Sequence, residues 1–446
     1  MQTVETANLQ SVGPKIGNYR WRICALLFFA TTINYIDRNV LSFVMADDGF
    51  RREMLGLAAT TPLTEANHIA FLAEYGRVDA VFKFAYGLGF ILMGWFIDRV
   101  GVRKGYAVAI FLWVASALSH SFATTFGRLR LFRFTLGIGE AGNFPSAIKT
   151  VAEWFPIKER SKAVGIFNSG ANIGIIFTAA LVPVVITAYG WQATFLITSS
   201  LGFILLICWL LLYRRPEEHT KVSQAELNYI RSDGEQDTST AKVNWFKLLS
   251  YRQTWTFALG KFLTDMIWWF YLSFLPDFFK QAGTFQLDLK QLSLPFIIIY
   301  IVSDAGSILF GWLSSKLISI GWTQNAARKV TMLLCALCVV PVFFASITES
   351  LTIAVALIAL AAAAHQGWSA NLYSIATDMF PKKAVSSVIG IGGMFGALGG
   401  ALFSYNAGTI AGTYGYLPLF IIASSAYLLA LGVIQMLSPK LQPAKL

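Results

Sequence analysis

The chain is short of charge: only 13% of its 446 residues are Asp, Glu, Lys or Arg, about half the share usual in soluble proteins. With 56% apolar residues, 36 Phe and 13 Trp, that scarcity argues against a soluble enzyme and for an integral membrane protein. Cysteine is scarce too. Cys24, Cys208, Cys335 and Cys338 all fall in apolar segments. Cys335 and Cys338 form a C-x-x-C with no His or second cysteine pair nearby, so helix packing is expected rather than a metal or redox site. The absence of a G-x-x-x-x-G-K-[ST] loop counts against an ATP-driven pump. No metal-ligand spacing and no nucleophile–base pair emerges, so no catalytic residue, metal or cofactor is expected. The first 19 residues lack an apolar core with a small-residue cleavage site, and the first apolar segment is read as a retained helix.

What is present is a series of apolar stretches near the length of about 20 residues that crosses a bilayer. Twelve are readable, at 20–45, 76–98, 105–124, 129–151, 162–186, 191–213, 254–279, 293–317, 328–348, 351–378, 384–410 and 415–437. The expected fold is an all-α membrane protein of two pseudo-symmetric six-helix bundles. The net charge of +11 gathers in alternate loops, such as Arg99, Arg103 and Lys104, then Lys158, Arg160 and Lys162, then Arg214, Arg215 and Lys221. The loops near 187–191, 348–351 and 410–415 hold no Lys or Arg. That is the positive-inside pattern, with both termini cytoplasmic. The basic balance is therefore a topology signal and not a nucleic-acid footprint.

The longest polar stretch, 214–253, divides the spans into 1–213 and 254–446 and reads as a cytoplasmic linker; its His219, Glu217 and Glu218 are expected to be solvated. It is too short for a catalytic or signalling domain. EWFPIKERSKAVG (153–165) aligns with DMFPKKAVSSVIG (378–390), and YGWQATFLI (189–197) with YGYLPLFII (414–422), both at an offset of 225. Duplicated halves with a site between them are a transporter feature. The same offset sets Glu140 opposite His365.

The residual charge inside the spans is the functional signal, because an ionisable group there costs at least ~2.5 kcal/mol on the insertion scale. Arg133 and Glu140 are seven residues apart and share one helix face, about 10 Å from each other. Arg133 suits bidentate carboxylate binding; its bland reading is a cation snorkelling to the interface. Glu140, among Gly137, Gly139 and Gly142, is either a proton carrier or a structural hydrogen-bonding group between close-packed helices. Asp37 and Arg38 repeat the combination, pointing about 100° apart. Lys83 reads equally as a third cation for the substrate or as a snorkelling side chain, and Tyr86 as a hydroxyl donor. Lys261 is a substrate-binding candidate whose bland reading is an intrahelical pair with Asp265, and Trp268 offers an indole face to a sugar ring, its bland reading being packing. His365, Gln366, Trp368, Ser369 and Asn371 form a polar patch fit for sugar hydroxyls. The segment 47–74 is long for an outer connection and carries no assigned role.

GWFIDRVGVRKGYA (94–107) resembles the loop signature of the major facilitator superfamily, with Asp98, Arg99, Arg103 and Lys104 as its gating charges; the second-half counterpart has Ser315 in place of the acid. NYIDRNVLS (34–42), Tyr86 and RFTLGIGEAGNFPSAIKTVAEWFP (133–156) resemble its anion:cation symporter branch. FNSGANIG (167–174), ALGKFLTDMIWW (258–269) and AHQGWSANL (364–372) look most like the hexuronate and related sugar-acid carriers. The resemblance implies that Asp37 and Glu140 handle protons and that Arg38 and Arg133 hold the substrate carboxylate. Aldonate carriers of the branch have a Gln where this chain has Ala171, and Asn168, Ser169 or Asn172 would supply replacement hydrogen bonds. The expected activity is proton-coupled uptake of a monoanionic sugar acid, a hexuronate, by alternating access in the cell inner membrane. The alternative is a same-fold transporter or exporter of another organic anion, an aldonate, sialate or small carboxylate. The expected partners are that small anion, protons and the lipid bilayer, with no obligate protein partner and no cofactor beyond the proton gradient.

Overall fold

In the computed structural model, residues 17–232, 245–281 and 285–444 are described, and among them every regular element is helical. The helices run α1 (Tyr19–Val44), α2 (Asp48–Met54), α3 (Glu65–Val100), α4 (Val102–Ser119), α5 (Phe126–Glu140), α6 (Asn143–Trp154), α7 (Ile157–Tyr189) and α8 (Trp191–Leu212). They continue as α9 (Gln224–Ile230), α10 (Trp245–Leu248), α11 (Arg252–Gln281), α12 (Ser293–Ser319), α13 (Gln324–Val339), α14 (Leu351–Met379), α15 (Lys382–Tyr414) and α16 (Leu417–Leu437). Nine helices among the described residues are long and apolar enough to cross a membrane. The other three expected spans are α1, the α5–α6 pair and α11. Charge lowers the hydropathy of α1 and α11, while α5 and α6 are each short because one helix breaks between them.

The break has a local cause. Pro145 has no N–H, so the carbonyl of residue 141 loses its donor four positions on, and the proline ring crowds that carbonyl. The turn tightens, with Gly142 N–H donating to the Gly139 carbonyl at 3.1 Å. Glu140 is the last residue of α5, so the break sets its carboxylate at a helix end deep within the protein.

The start of α1 and the end of α16 lie at one end of the molecule, called the terminal end, and the loop carrying α2 at the opposite, distal end. Contacts between the N-terminal helices α1–α8 and the C-terminal helices α11–α16 are closest between α3 and α15. A Cβ on Gly76 would stand 2.5 Å from the Ser404 carbonyl oxygen, and one on Gly408 would collide with the Leu72 carbonyl oxygen. Absent side chains let the two backbones touch, as small residues do between membrane helices.

The expected linker 214–253 contains α9 and α10, and its residues 233–244 lie outside the described part. α9 is tied down: Arg20 of α1 pairs with Glu226 at 3.3 Å and with Glu159 at 2.8 Å, and the Tyr229 hydroxyl donates to Glu159 at 3.0 Å. His219 is not solvated as expected. It is buried against the rings of Tyr19, at 4.1 Å, and Trp154, at 5.8 Å. Glu217 and Glu218 are exposed, Glu217 pairing with Arg231.

The glycine contact generates a prediction. Gly408→Val should lower the melting temperature of the purified protein by several degrees, by forcing α3 from α15. Gly432→Val, on an open face of α16 with nothing within 4 Å, should leave it nearly unchanged. Equal melting temperatures would contradict the close approach.

Candidate functional site

Arg38 is the centre of the site. Its Nε donates to Glu140 Oε2 at 2.8 Å, with the Arg38 and Glu140 side chains 5% and 0% exposed, and its Nη2 donates to Asn34 Oδ1 at 3.3 Å. Four rings surround the guanidinium: Tyr35 at 4.4 Å, Tyr86 at 4.5 Å, Trp269 at 5.6 Å and Phe82 at 5.8 Å. Trp269 belongs to α11, so the C-terminal helices complete the box. A cation over aromatic faces keeps attraction where water is excluded.

Arg133 and Glu140 do share a face, and both reach residue 38, but Glu140 pairs with Arg38 and not with Arg133. Arg133 is buried, stacks 5.0 Å from the Phe82 ring and donates Nη1 to the Arg38 carbonyl at 3.2 Å. Its Nε has no partner, and among the described residues no carboxylate forms an ion pair with it. It is not snorkelling; it is a buried cation with unused donors. Asp37 faces Trp113 of α4 and Thr198 of α8, with Glu140 within electrostatic reach. Both its carboxylate oxygens lack a hydrogen bond.

Across the interface, Lys261 pairs with Asp265 at 2.8 Å and donates to the Tyr373 hydroxyl at 3.3 Å. Trp268 lies flat on His365, with ring centroids 4.8 Å apart and planes at 4°. His365 Nδ1 meets the Tyr427 hydroxyl at 2.6 Å. The offset that set Glu140 opposite His365 does not bring them together, since each is bonded within its own set of helices. The polar patch of α14 divides. Gln366 and Ser369 are half-buried. Trp368 is fully buried edge-on to Tyr427, and Asn371 donates to the Gly367 and Phe310 carbonyls. These last two therefore pack inside the C-terminal helices, a correction to their reading as lining residues. On α7, Asn168 and Ser169 are exposed, Ser169 bonding back to the Ile166 carbonyl at 2.8 Å. Asn172 donates across the interface to Asp304 of α12.

Lys83 was open between substrate contact and snorkelling, and the structure gives it neither place. It is completely buried, pairs with Asp79 at 2.5 Å, and donates to Ser404 Oγ at 2.6 Å and Ser273 Oγ at 3.2 Å. It joins α3 to α11 and α15. Farther toward the distal end, α2 supplies Arg51, which pairs with Asp277 of α11 and contacts His68 Nδ1 at 2.9 Å. Tyr416 donates to the same Asp277 at 2.6 Å. Lys280 also pairs with Asp48 at 2.6 Å. The segment 47–74, without a role in the sequence, is a clasp on the distal end. At the site, a void of about 10 Å³ is lined by Arg38, Arg133, Asp79, Trp269 and Ser273 among others, about one water's room.

At the terminal end, Asp98 pairs with Lys149 of α6 at 2.8 Å, Arg99 covers Trp95 at 4.1 Å, and Arg103 donates to the Leu210 carbonyl at 3.1 Å. Lys104 is exposed. Sequence reading missed Tyr35, Asp79, Arg51, Asp277 and Tyr373. Asp79 and Asp277 were legible as acids in apolar surroundings, each four residues or fewer from a lysine.

A buried cation–acid site between two sets of long apolar helices, broken at one helix and clasped at one end, is the construction of a membrane carrier. The family model described as Major Facilitator Superfamily matches residues 27–404, and the chain belongs to that superfamily of transporters. The hexuronate transporter of Escherichia coli (strain K12) is 30% identical over 413 residues, covering 92% of this chain and 91% of that one. The D-galactonate transporter of Escherichia coli O6:H1 is 30% identical, covering 93% and 94%. The galacturonate transporter of Dickeya chrysanthemi is 32% identical over 67% of this chain and 82% of that one. Among solved structures, a bacterial homologue of the human lysosomal transporter Spinster, inward-facing and occupied, superposes with a TM-score of 0.73 at 18% identity, covering 97% and 100%. A D-xylose–proton symporter superposes with a TM-score of 0.70 at 14% identity, covering 96% and 100%. These two share the fold.

The clasp can be tested directly. In a cysteine-free background, Asp277→Asn should raise the rate at which a cysteine at Ser42 reacts with an impermeant maleimide added from the distal side, by about tenfold. An unchanged rate would show that the Arg51–Asp277 pair does not hold this end closed.

Proposed function

We propose that the protein imports a monoanionic sugar acid, a hexuronate, together with protons. One observation carries this reading: the buried Arg133 has no acid partner among the described residues. Around it, Arg38, Arg133 and Lys83 face Glu140 and Asp79, so three cations meet two carboxylates. With Asp37, which lies within electrostatic reach of Glu140, counted as protonated, one positive charge is left for one substrate carboxylate, and Arg133's planar fork suits it. Lys261 and Asp265 cancel one another. The relatives named for hexuronate, galacturonate and galactonate transport support the sugar-acid class. Ala171, at the place of the aldonate carriers' Gln, favours hexuronate within it.

In this mechanism the carboxylate binds at Arg133 and competes with Glu140 for Arg38. Glu140 then takes a proton, which removes a carboxylate from a site that has gained one. Asp37, buried beside Trp113 and Thr198, is the second proton position. Residues 1–213 and 254–446 rock as two bundles about this site, linked by 214–253. The positive loops support a cytoplasmic terminal end in a cell with an inner membrane, which would turn the clasp outward.

The experiment uses proteoliposomes with an acid-outside gradient. Labelled glucuronate should accumulate in wild type. Glu140→Gln should abolish that accumulation while sparing exchange of glucuronate for glucuronate. Absence of gradient-driven uptake in wild type contradicts the substrate or the coupling, and unchanged accumulation in the variant removes Glu140 from the proton role.

A further inference from the structure

Among the described residues, the Lys261–Asp265 pair is an ion pair beside the site that the mechanism above does not use. Its place relative to the anion site is set by α11. Asp265 lies one turn from Trp269, whose ring stands 5.6 Å from the Arg38 guanidinium. Tyr35 bridges the same gap from α1. Its ring lies 4.4 Å from Arg38, and its phenol is within electrostatic reach of Lys261 and Tyr373 as well as Glu140. The two ion pairs are thus linked through Tyr35 and Trp269, and a sugar acid held by its carboxylate at Arg38 and Arg133 would have its hydroxyls turned to the Lys261 side. Asp265 is partly open, its side chain 15% exposed, and is wedged against Gly396 of α15.

We propose that Asp265 sets the charge of the substrate that this site admits. By occupying Lys261 at 2.8 Å, it keeps the C-terminal side of the site neutral. That side then offers a carboxylate acceptor and the ammonium and phenol donors of Lys261 and Tyr373 to hydroxyl groups. A second substrate carboxylate would meet Asp265 and be repelled, so sugar acids with two carboxylates are selected against. Removing the acid would leave Lys261 as a bare cation and turn the same site into one that admits a dianion. This inference rests on the sugar-acid reading.

The test is counterflow of labelled glucuronate in proteoliposomes without a proton gradient, with unlabelled galacturonate or galactarate as competitor. Wild type should prefer galacturonate. Asp265→Asn should shrink that preference by about tenfold or more, Asp265→Glu should keep it, and Lys261→Gln combined with Asp265→Asn should lose the gain. Residual glucuronate counterflow in the same vesicles reports that each variant is folded, and Asp265→Ala replaces Asp265→Asn if that variant carries none. Equal competition in wild type, an unchanged preference in the neutral variants, or a gain that persists without Lys261 overturns the proposal. If no sugar acid competes in wild type, the function proposed above fails first, and the assignment of Asp265 with it.

Discussion

A guanidinium at mid-depth among apolar helices must be matched, and the surroundings of Arg38 are organised by that requirement. Glu140 supplies the charge, Asn34 a further acceptor, and Tyr35, Tyr86, Phe82 and Trp269 the polarisable faces. To deliver Glu140 at this depth, the helix breaks at residues 141–142, and glycines beside it admit α3 and α4 closely. Leaving one member of a buried pair alone costs about 3–5 kcal/mol. Loss of Glu140's charge therefore has two outlets: a proton on the acid, or a substrate carboxylate against the arginine. A carrier needs that choice, and a purely structural pair would not leave Arg133 beside it with unused donors.

The ion pairs that cross between the N-terminal and C-terminal helices are found at the distal end, at Asp277 and Lys280, with Lys83 bridging deeper by hydrogen bonds. At the terminal end, Asp98–Lys149 and Arg328–Asp378 stay within one set of helices, and among the described residues no ion pair crosses there. One end is thus held by polar contacts that must be exchanged for water before it opens. The glycine contact of α3 and α15 adds backbone packing to the same end. Asp277, Trp269 and Asp265 all lie on α11, so a movement of that helix would reach both the clasp and the site.

Much of this was legible in the sequence because charge is conspicuous in apolar segments. Residues Asp37, Arg38, Arg133 and Glu140 stand out for that reason, and helical periodicity set Arg133 and Glu140 on one face. Periodicity speaks only of one helix at a time, however. It could not show that Glu140's partner is Arg38, that Lys83 is spent on Asp79 and two serines, or that Asn371 bonds inside its own bundle. Those depend on which helix packs against which. The repeat at offset 225 aligned Glu140 with His365, but pseudo-symmetry relates positions and not contacts. His365 found Tyr427 and Trp268 instead. The segment 47–74 resisted reading because Arg51's partner lies 226 residues away.

The central claim is that substrate and proton meet at one ion pair, Arg38–Glu140. The most direct measurement is proton uptake on binding, followed with a pH-indicator dye as glucuronate is added to weakly buffered, purified protein. Linkage predicts that binding draws about one proton from solution per anion in wild type, and that Glu140→Gln binds glucuronate with that uptake removed. Binding without proton uptake in wild type, or the same uptake in the variant, would contradict the account.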